Sequence, residues 1–496
     1  MTQVDRRTFL RGGLALTGSA LASATALQTL AAHAAWAASG RPAGLAKGYG
    51  PLFRTAARNT GEELLALPRG FRYGVVSRTG QIMSDGNPTP IAFDGMAAFP
   101  GPDGLVRLIR NHEVRTDPNS PVGRVLGPVE TMYDPSGVGG TTTLDVSING
   151  PQFDRLLVQH FVSLNGTIVN CAGGIMLDNF GWVTCEETLE GPADGWEKKH
   201  GYCFVVPLFG PEPGHPAVAE PIPAMGRFSH EAIAVDPHTG HVYETEDEPN
   251  RPNGFFRYSP NNPSDLGQGG VLEMLKVKGV DNYDTREGET VGHEIAVEWV
   301  VIEDPDPDLE GGATTVTDQG LAKGAAIFNR LEGCWWGHES IIFNSTSGGD
   351  AKSGDVNTDG YREGYGQVWR YVPEESGGSL QLVYESPGPD ALDSPDNLTI
   401  TPRDGILLCE DDASDADGDT HPLAPDLVNV NRLIGLDRSG LPFEFAVNIA
   451  NESEFAGACF SPDGKLLFVN TFGAADSEDP PGRTYAITGP WPRGPL

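Results

Sequence analysis

The chain has 496 residues, with 68 acidic against 34 basic side chains and a formal net charge of −34. So acidic a chain lacks the basic footprint that binding a phosphate backbone requires, which excludes nucleic acid as a partner. The 64 glycines and 40 prolines exclude long uninterrupted helices and favour short strands joined by turns.

Residues 1–39 read as an address. Arg6-Arg7, followed by Thr8, Phe9, Leu10 and Arg11, precedes an Ala/Leu-rich stretch that ends in small residues such as Ala32-His33-Ala34. This is the pattern of a cleaved twin-arginine signal peptide. Residues 40–496 are then expected to form one domain, delivered by the twin-arginine export machinery to the periplasm or the exterior. No later segment approaches the roughly 20 apolar residues of a spanning helix, so no membrane span is expected.

Beyond the signal, one pattern recurs: a polar cluster, a short apolar run, a Gly/Asp/Asn turn, a second apolar run and another polar cluster. The first copy runs from Asp94-Gly95 through a turn at Asp103-Gly104 to Asn111-His112-Glu113. The second runs from Asn170-Cys171 to Glu186-Glu187, and the third from His230-Glu231 to Glu246, Asp247 and Glu248. The fourth runs from Arg330-Leu331-Glu332 to Asn344-Ser345, the fifth from Asp396-Asn397 to Glu410-Asp411-Asp412, and the last from Glu454 to Asn470. Six copies predict an all-β, six-bladed β-propeller. The stretches 115–150, 265–320 and 345–365 are expected to be irregular insertions over one face.

In a β-hairpin the start of the first strand and the end of the second lie together, opposite the turn. If the hairpins are the inner strands of successive blades, their polar ends converge near the axis on one face. Crowded carboxylates disfavour joint ionisation, and cations are the economical way to neutralise them. Oxygen donors suit calcium and magnesium, whereas a thiolate or an imidazole suits a transition metal. Cys171 is the one cysteine of six at the start of an inner strand. His112 and His230, beside glutamates, either ligate metal or orient a carboxylate. Arg330 lies two residues from Glu332, on the same side of a strand, and either binds an anionic substrate or forms a plain salt bridge. Asp355, Asn357, Asp359 and Gly360 match the opening of a calcium loop whose twelfth position is Gly366 instead of glutamate. The acidic run from Asp411 to Asp419 is expected to be solvated in its distal part. There is no Walker loop, dinucleotide fingerprint, HExxH motif or G-x-S-x-G elbow.

Several segments together resemble PhoX-type alkaline phosphatases: Asn170-Cys171-Ala172-Gly173-Gly174, Thr184-Cys185-Glu186-Glu187, Gly226-Arg227-Phe228-Ser229-His230-Glu231, Arg330-Leu331-Glu332-Gly333, Ser394-Pro395-Asp396-Asn397 and Ser461-Pro462-Asp463-Gly464. Leu331 stands where that family is expected to have proline, and Val114 where it is expected to have an aromatic residue, so the chain resembles a shorter, divergent branch. The resemblance implies a monomeric hydrolase of phosphorylated small molecules that uses an iron and calcium cluster. It implies Cys171, Glu231 and Glu332 as ligands, with Asn111, Glu113, Glu186, Glu187 and the acidic group of Glu246, Asp247 and Glu248 supplying calcium ligands or supporting contacts. Arg330 would hold the phosphate, with Asn111 beside it, and Arg330 and Glu332 would be catalytic. A calcium-dependent lactonase or esterase, and a non-catalytic propeller stapled by calcium, are the alternatives.

Overall fold

The computed structural model describes residues 47–147, 153, 156–411 and 420–496. The signal at 1–39 and Asp412, Asp415, Asp417 and Asp419 of the acidic run lie outside the described residues.

Each of the six sequence repeats is an antiparallel hairpin. The pairs are Phe93–Pro100 with Val106–His112, Asn170–Ile175 with Gly181–Glu186, and His230–Val235 with Val242–Glu246. Leu331–Gly337 with Ser340–Ser345, Pro395–Ile400 with Ile406–Glu410, and Phe455–Phe460 with Leu467–Thr471 complete the set. The first strand of each hairpin packs on the first strand of the next, and the last packs on the first, closing a ring. Further strands extend each hairpin outward, so the sheets radiate from one axis as a β-propeller.

The ring is tight because small residues face the next inner strand. A Cβ on Gly95 would stand 2.5 Å from the Cα of Ala172, and one on Gly333 would stand 2.6 Å from the amide nitrogen of Leu398. Buried amides clasp neighbouring hairpins. Asn111 Nδ2 donates to the carbonyls of Cys171 and Ala172, Asn344 Nδ2 to those of Pro395 and Asp396, and Asn470 Nδ2 to that of Asp94 across the seam.

The N-terminal strands do two jobs. Arg72–Arg78 pairs with Arg483–Thr488 and completes the last sheet, tying the two ends of the chain together. Glu63–Pro68 and Leu52–Ala56 add to the edge of the fifth sheet through Leu65↔Asn448. Between sheets the core is aromatic: Phe255 stacks on Phe343 at 4.2 Å, and Tyr243 meets Tyr371 at 5.2 Å.

The expected insertions need correction. Residues 139–146 and 270–277 are regular strands, and Glu294–Val301 pairs with Gly377–Glu385 to fuse the third and fourth sheets into one of nine strands. Their Gly, Asp and Thr content hid an alternation, as in Glu294-Ile295-Ala296-Val297-Glu298, where period two marks a strand with one covered face. The expected calcium loop is instead a hairpin turn between Lys352–Val356 and Arg362–Gly364. Asp359 is neutralised by Arg286 at 2.8 Å, and Asn357 Nδ2 donates to Asn329.

Asn470→Ala removes the clasp at the seam and also strips Thr484 Oγ1 of the acceptor it donates to at 2.6 Å. With two buried polar groups unsatisfied, a loss of about 1–3 kcal/mol is expected. Urea unfolding checks this, with a clearly smaller loss expected for alanine at the solvent-exposed Asn261.

Candidate functional site at the axis

The hairpin registers decide which polar residues face the axis. In each of the first five hairpins, the first strand bulges immediately after its opening residue. A bulge re-aims the side chains it carries. The bulged positions are Asp94, Cys171, Glu231, Glu332 and Asp396, all ligand types. In four of these hairpins the residue just before the strand's opening residue is left-handed although it is not glycine: Ala92 (φ 53°), Val169 (φ 46°), Arg330 (φ 41°) and Ser394 (φ 41°). Such conformations cost roughly 1–3 kcal/mol each, and they recur here at one position of the repeat.

The second strands obey a rule of two. The residue paired with the opening position is buried and satisfied locally. Glu186 receives bonds from the amides of Ile168, Gly201 and Tyr202 and contacts His200 Nδ1 at 2.7 Å. Glu246 accepts from Thr317 Oγ1 and the Gly254 amide, and Glu410 is gripped by Arg432 at 2.7 Å. The residue after each, namely Glu187, Asp247 and Asp411, joins the axial cluster, as Glu113 does after His112.

Three overlapping donor groups result. Donor atoms of Cys171, Glu187 and Glu231 lie within 4.8 Å of one another, as do those of Glu231, Glu332 and Asp396, and those of Asp396, Asp411 and Glu454. The groups share Glu231 and Asp396 and so form a row. Burial first, and then mutual repulsion, push Asp94, Glu231, Glu332, Asp396 and Glu454 well above the usual carboxylate range. Burial raises Glu187 likewise, against the opposing pull of Arg115. Burial and the nearby Glu231 and Glu187 also raise the Cys171 thiol.

Two guanidiniums offset part of this charge. Arg330 grips Asp247 with both Nε (3.0 Å) and Nη2 (2.7 Å) and reaches Glu332 at 3.4 Å, while 28% of its side chain stays exposed. Arg115 bridges Glu113 and Glu187 and is 45% exposed. The donors fit cations: Asp94 Oδ1 and Glu231 Oε1 are buried without a hydrogen-bond partner, and carboxylate oxygens beside a thiol are a mixed hard and soft set.

Of the residues expected from sequence, Cys171, Glu231, Glu332, Glu113, Glu187, Asp247 and Arg330 are brought together. Glu186 is not, for its oxygens are occupied. Asn111 is not, since it spends its amide on Cys171 and Ala172 and accepts from Trp182 Nε1. Glu248 is in none of the donor groups, has Arg251 and Asp247 as its charged neighbours, and its backbone amide donates to Asn253. His112 contacts Ile91 and Thr142, away from the cluster. Asp94, Asp396, Asp411, Glu454 and Arg115 were missed as site residues. The first four stood inside the repeats, and Arg115 repeats after Glu113 the two-residue spacing of Arg330 and Glu332.

A family model described as alkaline phosphatase PhoX matches residues 48–474. Pseudomonas fluorescens PhoX, solved in complex with vanadate, a transition state analogue, superposes with a TM-score of 0.62 at 17% identity, over 88% of this chain and 98% of that one. A Xanthomonas campestris gluconolactonase matches with a TM-score of 0.33 at 10% identity, over 91% of this chain and 99% of that one. None of the curated proteins matches the chain.

Two outcomes are expected. At pH 7, stripping cations should lower the melting temperature, and Glu231→Gln should then raise it in the stripped protein while lowering metal content in the loaded one. Differential scanning fluorimetry with elemental analysis reads both signs. Separately, burial opposes charge on His200, but Glu186 and Asp134 outweigh it and raise its pKa to about 9. The imidazolium therefore stabilises the fold fully below the unfolded value of about 6.5, and that contribution fades as pH rises through 9. Unfolding curves from pH 6 to 10 should show this loss, and His200→Gln should flatten it.

Proposed function

The chain belongs to the PhoX family of alkaline phosphatases, and from that premise we propose that it hydrolyses phosphate monoesters of small molecules at the axial cluster. The observation that carries the reading is the row of buried carboxylates, with a thiol at one end and arginine at its rim, on a family member's axis.

Cys171, with Glu187 and Glu231, would hold iron, because a thiolate selects a transition metal. The all-oxygen groups, Glu231, Glu332 and Asp396, then Asp396, Asp411 and Glu454, would hold calcium. When bound, these cations supply Lewis-acid polarisation of the phosphoryl oxygens. The remaining work belongs to side chains. Asp247 fixes the Arg330 guanidinium by a two-pronged grip, so its exposed edge meets a phosphate without reorganising. Arg115, anchored by Glu113 and Glu187, presents a second guanidinium. Carboxylates that face inward and carry no cation repel the dianionic substrate, so cation loading and phosphate binding are coupled. In this reading residues 1–39 direct twin-arginine export, and residues 40–496 work as a monomeric domain outside the cytoplasm.

Purified protein should contain iron and calcium, absorb visible light and hydrolyse p-nitrophenyl phosphate, with activity lost on chelation. Arg330→Ala should lower kcat/KM about 10²- to 10³-fold, the scale of losing one preorganised charge-assisted contact, with Arg330→Lys between it and the parent. Iron and full activity retained in Cys171→Ala would overturn the ligand assignment. Calcium alone, with lactone hydrolysis in place of phosphatase activity, would overturn the reaction.

A further inference from the structure

A second donor cluster stands apart from the axis. The bulge after His230 turns its side chain away from that of Glu231, into the space between the second and third sheets. There its Nδ1 lies 3.5 Å from Cys203 Sγ and 3.3 Å from Glu244 Oε2. Donor atoms of these three residues all lie within 4.8 Å of one another. Cys185, the direct cross-strand partner of Cys203, places its sulfur 3.7 Å from that of Cys203. All four side chains are fully buried.

Two features point to a ligand. Both oxygens of Glu244 are buried with no hydrogen-bond partner, and an unpaired buried carboxylate costs several kcal/mol. His230 Nε2 lies 3.0 Å from the carbonyl of Gly226. That carbonyl accepts only from a protonated Nε2, which leaves the Nδ1 lone pair facing the cluster, the arrangement metal-bound histidines adopt. The spacings also fit one ion. Bond lengths of about 2.3 Å to sulfur and about 2.0 Å to nitrogen and oxygen, at tetrahedral angles, separate donors by about 3.5 Å (S and N) and about 3.3 Å (N and O).

We propose that Cys203, His230 and Glu244 bind a divalent ion of the zinc class that staples the second sheet to the third, with the Cys185 thiol beside Cys203. The Cys203 thiol loses its proton on binding, and the full burial of all three donors shuts the ion off from substrate. Its place is structural. The second sheet has three strands among the described residues, and its Cys171 thiol approaches the His230 carbonyl at 3.1 Å. The staple therefore holds Cys171 and Glu231 at their mutual distance.

The full-length protein tests this in a Cys171→Ala background, where the axial thiolate is gone and any sulfur-bound metal must lie elsewhere. Elemental analysis and X-ray absorption should find one zinc-class ion per chain with sulfur at about 2.3 Å. Adding Cys203→Ser or Glu244→Gln should weaken its retention against a chelator at least tenfold. In the parent protein, alkylation mapped peptide by peptide should leave Cys203 unlabelled until a chelator is added, and should then label it ahead of Cys334, Cys409 and Cys459, which are equally buried. No sulfur-bound ion in Cys171→Ala, a mass two units low from a Cys185–Cys203 disulfide, or unchanged retention in Glu244→Gln would each overturn the proposal. Phosphatase activity is not read in any arm, so the outcome is independent of the axial assignment.

Discussion

The structure is organised around the convergence of like charge. Two carboxylates about 5 Å apart repel by about 3 kcal/mol at an effective dielectric of 20, and the axis gathers such groups from every hairpin. A few uncompensated pairs would cancel the 5–15 kcal/mol by which folded domains are stable. The arrangement persists only when that charge is offset, in part by the guanidiniums of Arg330 and Arg115 and for the rest by protons or bound cations. The left-handed residues before the inner strands belong to the same balance. Val169, β-branched and at φ 46°, is held there by the ring that its own sheet helps to close.

A strand's period of two sorts neighbouring acids into opposite fates. Glu186 and Glu187 are adjacent and chemically identical, yet the first is enclosed by amides and His200 while the second reaches Arg115 and Cys171. The same split separates Glu246 from Asp247 and Glu410 from Asp411. Enclosed acids stiffen the strand ends, and axial acids present donors. Loss of an enclosed acid would disorder the donors beside it, so both classes bear on the site through different physics.

The two donor clusters meet back to back at His230 and Glu231. One residue turns its imidazole toward Cys203 and Glu244, the next its carboxylate toward Cys171 and Glu332. A staple on one side of this strand therefore restrains geometry on the other. The grip of Asp247 on Arg330 works likewise, since a guanidinium held by a buried carboxylate loses little entropy when an anion docks.

The sequence by itself determined the hairpins, because turn residues and apolar runs are local signals, and it determined that their polar ends share a face, because that follows from hairpin geometry alone. Cys171 and the pair of Arg330 and Glu332 were legible for that reason, and Glu231 was implied by the family resemblance. It left Glu186 and Glu187 indistinguishable, for register depends on a partner strand and not on either residue's type. It also missed Arg115, and it missed the pairing of Cys203 with His230 and Glu244, which lie on different sheets and meet only when the ring closes. Composition misled at 265–320, where glycine and aspartate masked strands that the fourth sheet recruits. Tertiary structure decided which donors face the axis, which are buried for support and which cluster between sheets, because bulges, left-handed turns and sheet packing set side-chain direction through contacts distant in the chain.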